Sequence, residues 1–344
     1  MSDSILVVHT GGTIGMVSTP DGDAPVAGAL ETHITRLATA ETGELPPIEY
    51  LELDPLIDSA NATPDTWSRL ASLLFDRRDR HKGFVVLHGT DTLAYTASAL
   101  SFLLADFGRP VVVTGSQIPI ARVRSDGRQN LIGAVQVAAR EDVPEVSVLF
   151  GDMLLRGNRS TKVDASGLYA FESPRYPPLA RLGVEITVDR ARVRTPTTVP
   201  RLIACELAPV AATRLFPGFS ASILANLCQP PLRGLVIEAY GAGNGPSRDS
   251  DFLAQIERAT AQGIVVAVVT QCLRGAVQPN AYATGSALLR AGAVPAYDMT
   301  TEATVTKLSV LLGQGHDAAT VRTLLQTDLA GEITVASPVE RTNN

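Results

Sequence analysis

The sequence predicts an α/β protein of two α/β domains. The larger, N-terminal one has a mostly parallel sheet with helices on both faces, and the smaller C-terminal one is a parallel α/β domain. Three observations predict this. Short apolar, β-branched runs such as Ile5–Val8, Phe84–Leu87 and Ile264–Thr270 alternate with longer segments of helical spacing, as parallel strands with crossover helices require. Two of these runs stop abruptly at glycines and hydroxyls, in HTGGTIG (9–15) and GFVVLHGTDTL (83–93), and such strand ends are where α/β proteins face ligands. The length of 344 residues suits two cores better than one.

The elements follow in order. Ile5–Val8 anchors a strand over 4–9, and Gly11-Gly12 forces a tight turn that delivers Thr13. Ser18–Gly28, with its prolines and glycines, reads as a loop long enough to act as a lid. A helix over Glu31–Ala40 and a strand over Glu49–Leu53 lead into LIDSAN (56–61). Thr63 then caps a helix, Pro64 suits its first turn, and Asp65 complements its dipole. Trp67, Leu70, Leu73 and Leu74 form that helix's apolar stripe. Next come a strand over 84–88, a helix over Asp91–Ala105, a strand over Pro110–Thr114, a helix over Ser125–Ala139 and a strand over Val146–Phe150.

Prolines cluster at 174, 177, 178, 196, 200, 209 and 217 with short β-like runs between them. They read as edge structure followed by a linker. The expected division is therefore 1–195, a linker over 196–214, and 215–344. In the last part Leu235–Glu238 is a strand, Ser250–Ala261 a helix capped by Ser250, and Ile264–Thr270 a buried strand. Thr301–Leu312 and Asp317–Leu329 close the domain as helices.

Composition narrows the function. A chain that is 45% hydrophobic and 19% charged is globular, and a net charge of −6 argues against nucleic-acid or anionic-membrane surfaces. The first apolar run has no basic residue before it and is too short for a signal segment, and no stretch approaches the ~20 apolar residues of a membrane span. A cytoplasmic location is expected. Cys205, Cys228 and Cys272 are widely spaced and form no CxxC, which fits reduced thiols and excludes a Cys-rich zinc site. His9, His33, His81, His88 and His316 show no HxxxH or HxH spacing, so no metal is expected. His9 and His88 each sit at a strand end before a glycine turn, where the expected role is to hydrogen-bond loop backbone.

The two turns could carry acyl chemistry. A threonine hydroxyl such as that of Thr13 is a poor nucleophile at neutral pH and needs a base and oxyanion donors nearby. Backbone N–H groups after Gly12 or Gly89 can supply the donors. Lys162, in RGNRSTKV (156–163), is a candidate base if it is desolvated beside Thr90 and Asp91, although taken alone it reads as a solvated surface charge. TGGTIG lacks the Gly-Lys-Ser/Thr of a phosphate-binding loop, GAGNG (241–245) does not fit GxGxxG, and there is no GxSxG elbow.

TGGTIG, HGTDTL and GNRSTK together resemble the bacterial L-asparaginase family, specifically its cytoplasmic type I branch. The resemblance continues through VTGSQIP (113–119), RSDGRQNL (124–131), YGAGN (240–244), TQC (270–272), YATG (282–285) and DMTTEATVTKL (298–308). It implies hydrolysis of asparagine to aspartate and ammonia without metal or organic cofactor, by a homodimer or homotetramer. Residue by residue, it implies Thr13 as nucleophile and Thr90, Asp91 and Lys162 as the second catalytic group, with Asp91 also holding the substrate α-amino group. Asp58, Ser59 and Ala60 match the loop that meets the α-carboxylate. Asn244 and Glu302 match positions contributed by a neighbouring subunit. One departure stands out: family members carry a tyrosine in the loop after the first motif, whereas here Asp23 falls near that place and no tyrosine lies between 14 and 49. Glu238, just before Tyr240, stands where a regulatory carboxylate would call for a basic residue, so allosteric control is not expected.

Three other readings compete. A glutaminase-asparaginase would use the same machinery, the substrates differing by one methylene worth roughly 1–3 kcal/mol in a fitted pocket. An amidase subunit serving tRNA-dependent amidation is disfavoured by the acidic balance. A catalytically weakened amino-acid-binding homologue would have no need of Thr13, Thr90 and Lys162 together.

Overall fold

The structure is a computed structural model that describes residues 3–19, 22–38, 45–278 and 283–334. The chain divides into two compact units, one of Met1–Ser173 with Pro177–Ala204 and one of Pro174–Tyr176 with Cys205–Asn344.

In the first unit the described strands and helices are β1 (Ile5–His9), β2 (Met16–Thr19), β3 (Gly22–Pro25), α1 (Glu31–Ala38), β4 (Ile48–Glu52), α2 (Pro64–Asp76), β5 (Gly83–Leu87) and α3 (Leu93–Leu103). There follow β6 (Leu104–Ala105), β7 (Val111–Thr114), α4 (Gly127–Ala138), β8 (Val146–Phe150), β9 (Met153–Arg156), β10 (Thr161–Lys162), β11 (Phe171–Glu172), β12 (Ala180–Leu182), β13 (Ile186–Val188) and β14 (Arg201–Leu202). The main sheet runs β13-β12-β9-β8-β7-β5-β1-β4. From β4 to β8 all neighbours are parallel, and β9, β12 and β13 are added antiparallel at one edge. Every residue of β1, β5, β7 and β8 is buried, as strands covered on both faces must be, so these runs are continuously apolar rather than alternating.

The chain leaves β1 for β4 on one side and returns to β5 on the other. The order of strands reverses there, and ligands gather at the carboxyl ends beside such a switch point. Those ends are the Thr13 and Thr90 turns. On α2, Trp67, Leu70, Ala71 and Leu74 are buried and Leu73 half-buried, and Thr63 N–H donates to Thr66 Oγ1 at 3.2 Å to hold the first turn.

The second unit holds β15 (Val210–Arg214), α5 (Ala221–Leu227), β16 (Gly234–Ala239), α6 (Ser250–Ala261), β17 (Val265–Thr270), α7 (Ala283–Arg290), β18 (Val294–Pro295), α8 (Thr301–Gly313) and α9 (Ala318–Leu325). Its sheet, β15-β16-β17-β18, is parallel throughout. Leu235, Ile237, Val266 and Val268 join Phe252 and Ile256 in one apolar layer, while Val236, Val265, Ala267 and Val269 join Leu308, Leu312 and Val321 in another. Alternate residues of each strand thus enter opposite cores.

Several expectations need adjustment. Residues 196–214 are not a plain linker. Arg201–Leu202 pairs with β6 in the first unit, and Val210–Arg214 is the edge strand of the second. Pro200 and Pro209 stand just before these strands, where a missing N–H costs no ladder bond. The helix expected to be capped by Ser250 is capped by Asp249, whose Oδ1 accepts the Phe252 N–H at 3.0 Å. The expected lid contains an antiparallel pair, Met16–Thr19 with Gly22–Pro25. The side chain of Asp23 lies outside the described residues.

Candidate active site

Three loops converge on one place because their backbones interlock. Gly12, at φ +84°, lies so close to the next turn that a Cβ there would fall 2.3 Å from the Gly89 Cα. A Cβ on Gly89 would fall 2.4 Å from Ser59 Oγ. Only glycine meets both the backbone angle and the spacing at residue 12. The loops after β1, β5 and β4 are therefore in direct contact.

Thr13 opens a single 3₁₀ turn, Thr13–Gly15, and is half-buried. Thr90 is buried, and its Oγ1 accepts a hydrogen bond from Lys162 Nζ at 2.9 Å while donating to Gln117 Oε1 at 3.1 Å. Lys162 Nζ also reaches Asp91 Oδ1 at 2.7 Å. The Asp91 side chain is 64% exposed and that of Lys162 only 20%, so the carboxylate stands at the rim and the ammonium beneath it. Lys162 is placed by β10, which pairs with β11 through Phe171. A lysine that reads as a surface charge in isolation is thus half-buried on two polar partners.

Asp58 and Ala60 are exposed and Ser59 is buried. The Asp58 carboxylate accepts the Ala60 N–H at 3.1 Å and caps the short turn Ser59–Asn61, while the Ser59 carbonyl accepts Thr92 Oγ1–H at 2.8 Å. Asn244 and Glu302 belong to the second unit. Asn244 closes a turn with Tyr240 through paired backbone bonds of 2.9 and 2.7 Å, and Glu302 lies in the first turn of α8. Among the described residues no group of three His, Cys, Asp or Glu side chains could hold a metal, and no helix is long and apolar enough to cross a membrane.

Sequence reasoning missed Gln117 and Asp126. Gln117 accepts from Thr90 and donates Nε2–H to the Gly167 carbonyl at 3.2 Å. The Asp126 carboxylate fixes that loop by accepting the N–H groups of Gln117 and Ile118, each at 3.0 Å. The signal available was position: VTGSQIP follows β7, the next parallel strand end beside β5.

The two histidines differ. His88 Nδ1–H donates to the Gly89 carbonyl at 2.8 Å, and its Nε2 accepts from Thr96 Oγ1 at 2.9 Å, which in turn accepts Trp67 Nε1–H at 3.1 Å. It steadies loop backbone, and burial pushes its pKa down so that it stays neutral. His9 likewise meets loop backbone, at Gly11, and in addition turns Nδ1 to the side chains of Tyr50 and Glu52.

A switch-point sheet bearing a hydroxyl, lysine and carboxylate cluster defines an α/β enzyme of the amidohydrolase type. Comparison with known proteins specifies which. Residues 4–194 match the family model described as Asparaginase, N-terminal, and residues 209–325 match the Glutaminase/Asparaginase C-terminal domain. L-asparaginase 1 of Escherichia coli K12 is 43% identical over 96% of this chain and 98% of its own. The 60 kDa lysophospholipase of Mus musculus is 42% identical over 96% of this chain and 62% of its own. Among solved structures, L-asparaginase I from Vibrio cholerae O1 biovar eltor superposes with a TM-score of 0.89 at 39% identity, covering 97% of this chain and all of that one. The chain belongs to the asparaginase family, and both bacterial relatives carry the type I number in their names.

Proposed function

We propose that the chain is an L-asparaginase that hydrolyses the side-chain amide of L-asparagine to L-aspartate and ammonia. The observation that carries this reading is Lys162 Nζ bridging Thr90 Oγ1 at 2.9 Å and Asp91 Oδ1 at 2.7 Å on a turn in backbone contact with that of Thr13. Thr13 Oγ attacks the amide carbon, forming a C–O bond. The C–N bond then breaks, and the nitrogen leaves as ammonia with the threonine's proton. Water attacks the resulting ester and returns a proton to Thr13 Oγ. Lys162 holds and moves protons at Thr90 Oγ1, whose hydroxyl can orient or activate the attacking water.

The exposed Asp91 carboxylate takes the substrate's α-ammonium as a charge-assisted hydrogen bond. Asp58 already accepts the Ala60 N–H, so its role is to shape the loop, and Ser59 with the loop's N–H groups meets the α-carboxylate. Asn244 and Glu302 complete the site from a second subunit of a homodimer or homotetramer. The three cysteines are free thiols, which suits the cytoplasm.

Ammonia release tests the reading. The wild type is expected to turn over L-asparagine with saturation, and Thr13→Ala to lose at least about a hundredfold in kcat; equal rates would sink the nucleophile assignment. The description of the matched C-terminal domain names glutaminase as well as asparaginase, so the ratio of kcat/KM for the two amides is the companion measurement. A preference above about tenfold for asparagine fits a pocket fitted to the shorter side chain.

A further inference from the structure

His9 and His88 each stand at a strand end before a glycine turn, and both rings meet loop backbone, His88 at Gly89 and His9 at Gly11. His9 is fully buried, and its Nε2 has no side-chain partner among the described residues. The other nitrogen explains the ring's orientation. Tyr50 and Glu52 stand two residues apart on β4 and so share a face; His9 is in register with Glu52 on the parallel neighbour. Tyr50 Oη–H donates to Glu52 Oε2 at 2.8 Å, and His9 Nδ1 lies 3.0 Å from Tyr50 Oη and 3.3 Å from Glu52 Oε2. Tyrosine has one hydrogen, here given to Glu52, and a carboxylate only accepts. The hydrogen between His9 and this pair therefore sits on Nδ1.

The Nε2–Cε1 edge of the ring faces the turn that carries Thr13. A Cβ on Gly15 would lie 2.7 Å from His9 Nε2 and 2.6 Å from Cε1, so the turn rests directly on the imidazole. Glu52 has a further contact. The Gly28 N–H, at the end of the segment expected as a lid, donates to its two oxygens at 3.1 and 3.3 Å. One carboxylate thus gathers the tyrosine, the histidine under the nucleophile's turn, and the return of the following loop. Burial would raise the Glu52 pKa, but hydrogen bonds from Tyr50, Gly28 and His9 outweigh it and keep the carboxylate ionised.

We propose that His9, Tyr50 and Glu52 form a positioning unit that seats the Thr13 turn and couples it to the loop ending at Gly28. None of the three need touch the substrate; they act through the turn. The proposal rests on the reading of Thr13 as the nucleophile. It carries a kinetic signature, because the hydrogen bonds that build the unit do not involve Asp91, Lys162 or Ser59. Binding should then survive while the attack geometry does not.

The test uses Tyr50→Phe and Glu52→Gln in the full-length enzyme, since His9 is buried and its replacement could unfold the strand. Both variants are expected to lose about tenfold or more in kcat for L-asparagine, with KM within about threefold of wild type. A kcat within about twofold of wild type in both, or a loss carried by KM alone, overturns the proposal. Ring-¹⁵N histidine NMR reads the same unit without any substrate. His9 is expected as the Nδ1–H tautomer in the wild type, and an Nε2–H wild type would overturn the unit. Should the wild type release no ammonia from any amide, the functional reading fails, and the tautomer result still decides whether the unit exists.

Discussion

Lys162 on β10 and Lys307 on α8 each hold a carboxylate, at 2.7 Å from Asp91 and 2.5 Å from Glu332. Their surroundings are opposite. Lys307 and Glu332 are both completely buried, and Lys307 Nζ also donates to the carbonyls of Leu325 at 3.0 Å and Thr327 at 2.6 Å, while Glu332 accepts the N–H groups of Leu329 and Ala330. All three ammonium hydrogens are committed, and the pair locks α8 to the chain that follows α9. Lys162 gives two of its three to Thr90 and Asp91 and stands beneath an exposed carboxylate. A charge whose valence is saturated and dry holds structure together. One left partly unsaturated at a strand end is available to a substrate.

Substitution of each lysine should separate these roles. Lys162→Met is expected to lower kcat by about 10³–10⁴ while unfolding stability stays within about 1 kcal/mol of wild type, read from ammonia release and urea titration. A large stability loss with activity retained would reverse the assignment. Lys307→Met strands a buried carboxylate and is expected to cost about 3–5 kcal/mol, with the double variant Lys307→Met, Glu332→Leu recovering much of it. No recovery would mean that the pair's backbone contacts, rather than the buried charge, hold the segment.

The histidines under the two turns supply a smaller test, of what burial does to a group that charges only in acid. Burial lowers the pKa of His88, and of His9 against the partial opposition of Glu52. The folded state then binds fewer protons than the unfolded one below the ordinary histidine value. Stability should accordingly be level near neutrality and fall as pH drops below about 6.5, by at most about 1.4 kcal/mol per pH unit for each histidine. An unchanged urea midpoint between about pH 7.5 and 5.5 would contradict this. The smallest effect belongs to the pair of half-buried Lys82 with exposed Glu141, at 3.9 Å. Glu141→Gln should shift stability by less than about 0.5 kcal/mol, also by urea titration.

Much of the first sheet was legible because its strands are buried on both faces. Val146–Phe150 matches its predicted bounds, and Ile5–His9 and Gly83–Leu87 differ from theirs by a residue. β12 and β13 fall among the short β-like runs read as edge structure, whereas β9 was not anticipated and takes its form from the edge it joins. Thr13, Thr90, Asp91 and Lys162 were visible through their motifs, and the contact of Lys162 with Thr90 and Asp91 accords with the chemistry sought from them. His9, Tyr50 and Glu52 were not legible as a group, since it is strand pairing that brings β1 and β4 together from distant parts of the sequence. Gln117 was quoted within a motif but given no role, because its function arises from the side-chain bond to Thr90. Asp249 displaced Ser250 as a cap because either residue suits the position, and one residue of offset leaves no mark in composition.

The contact between Gly12 and Gly89 has a consequence for anyone who would transplant this site. Two turns far apart in the chain share one van der Waals boundary, with Ser59 pressed against it. Lengthening or enlarging either turn alone would push the other off its strand end. A chimaera with a relative must exchange the HTGGTIG and HGTDTL segments as a matched set, with the loop around Ser59, because the three are inherited as one object.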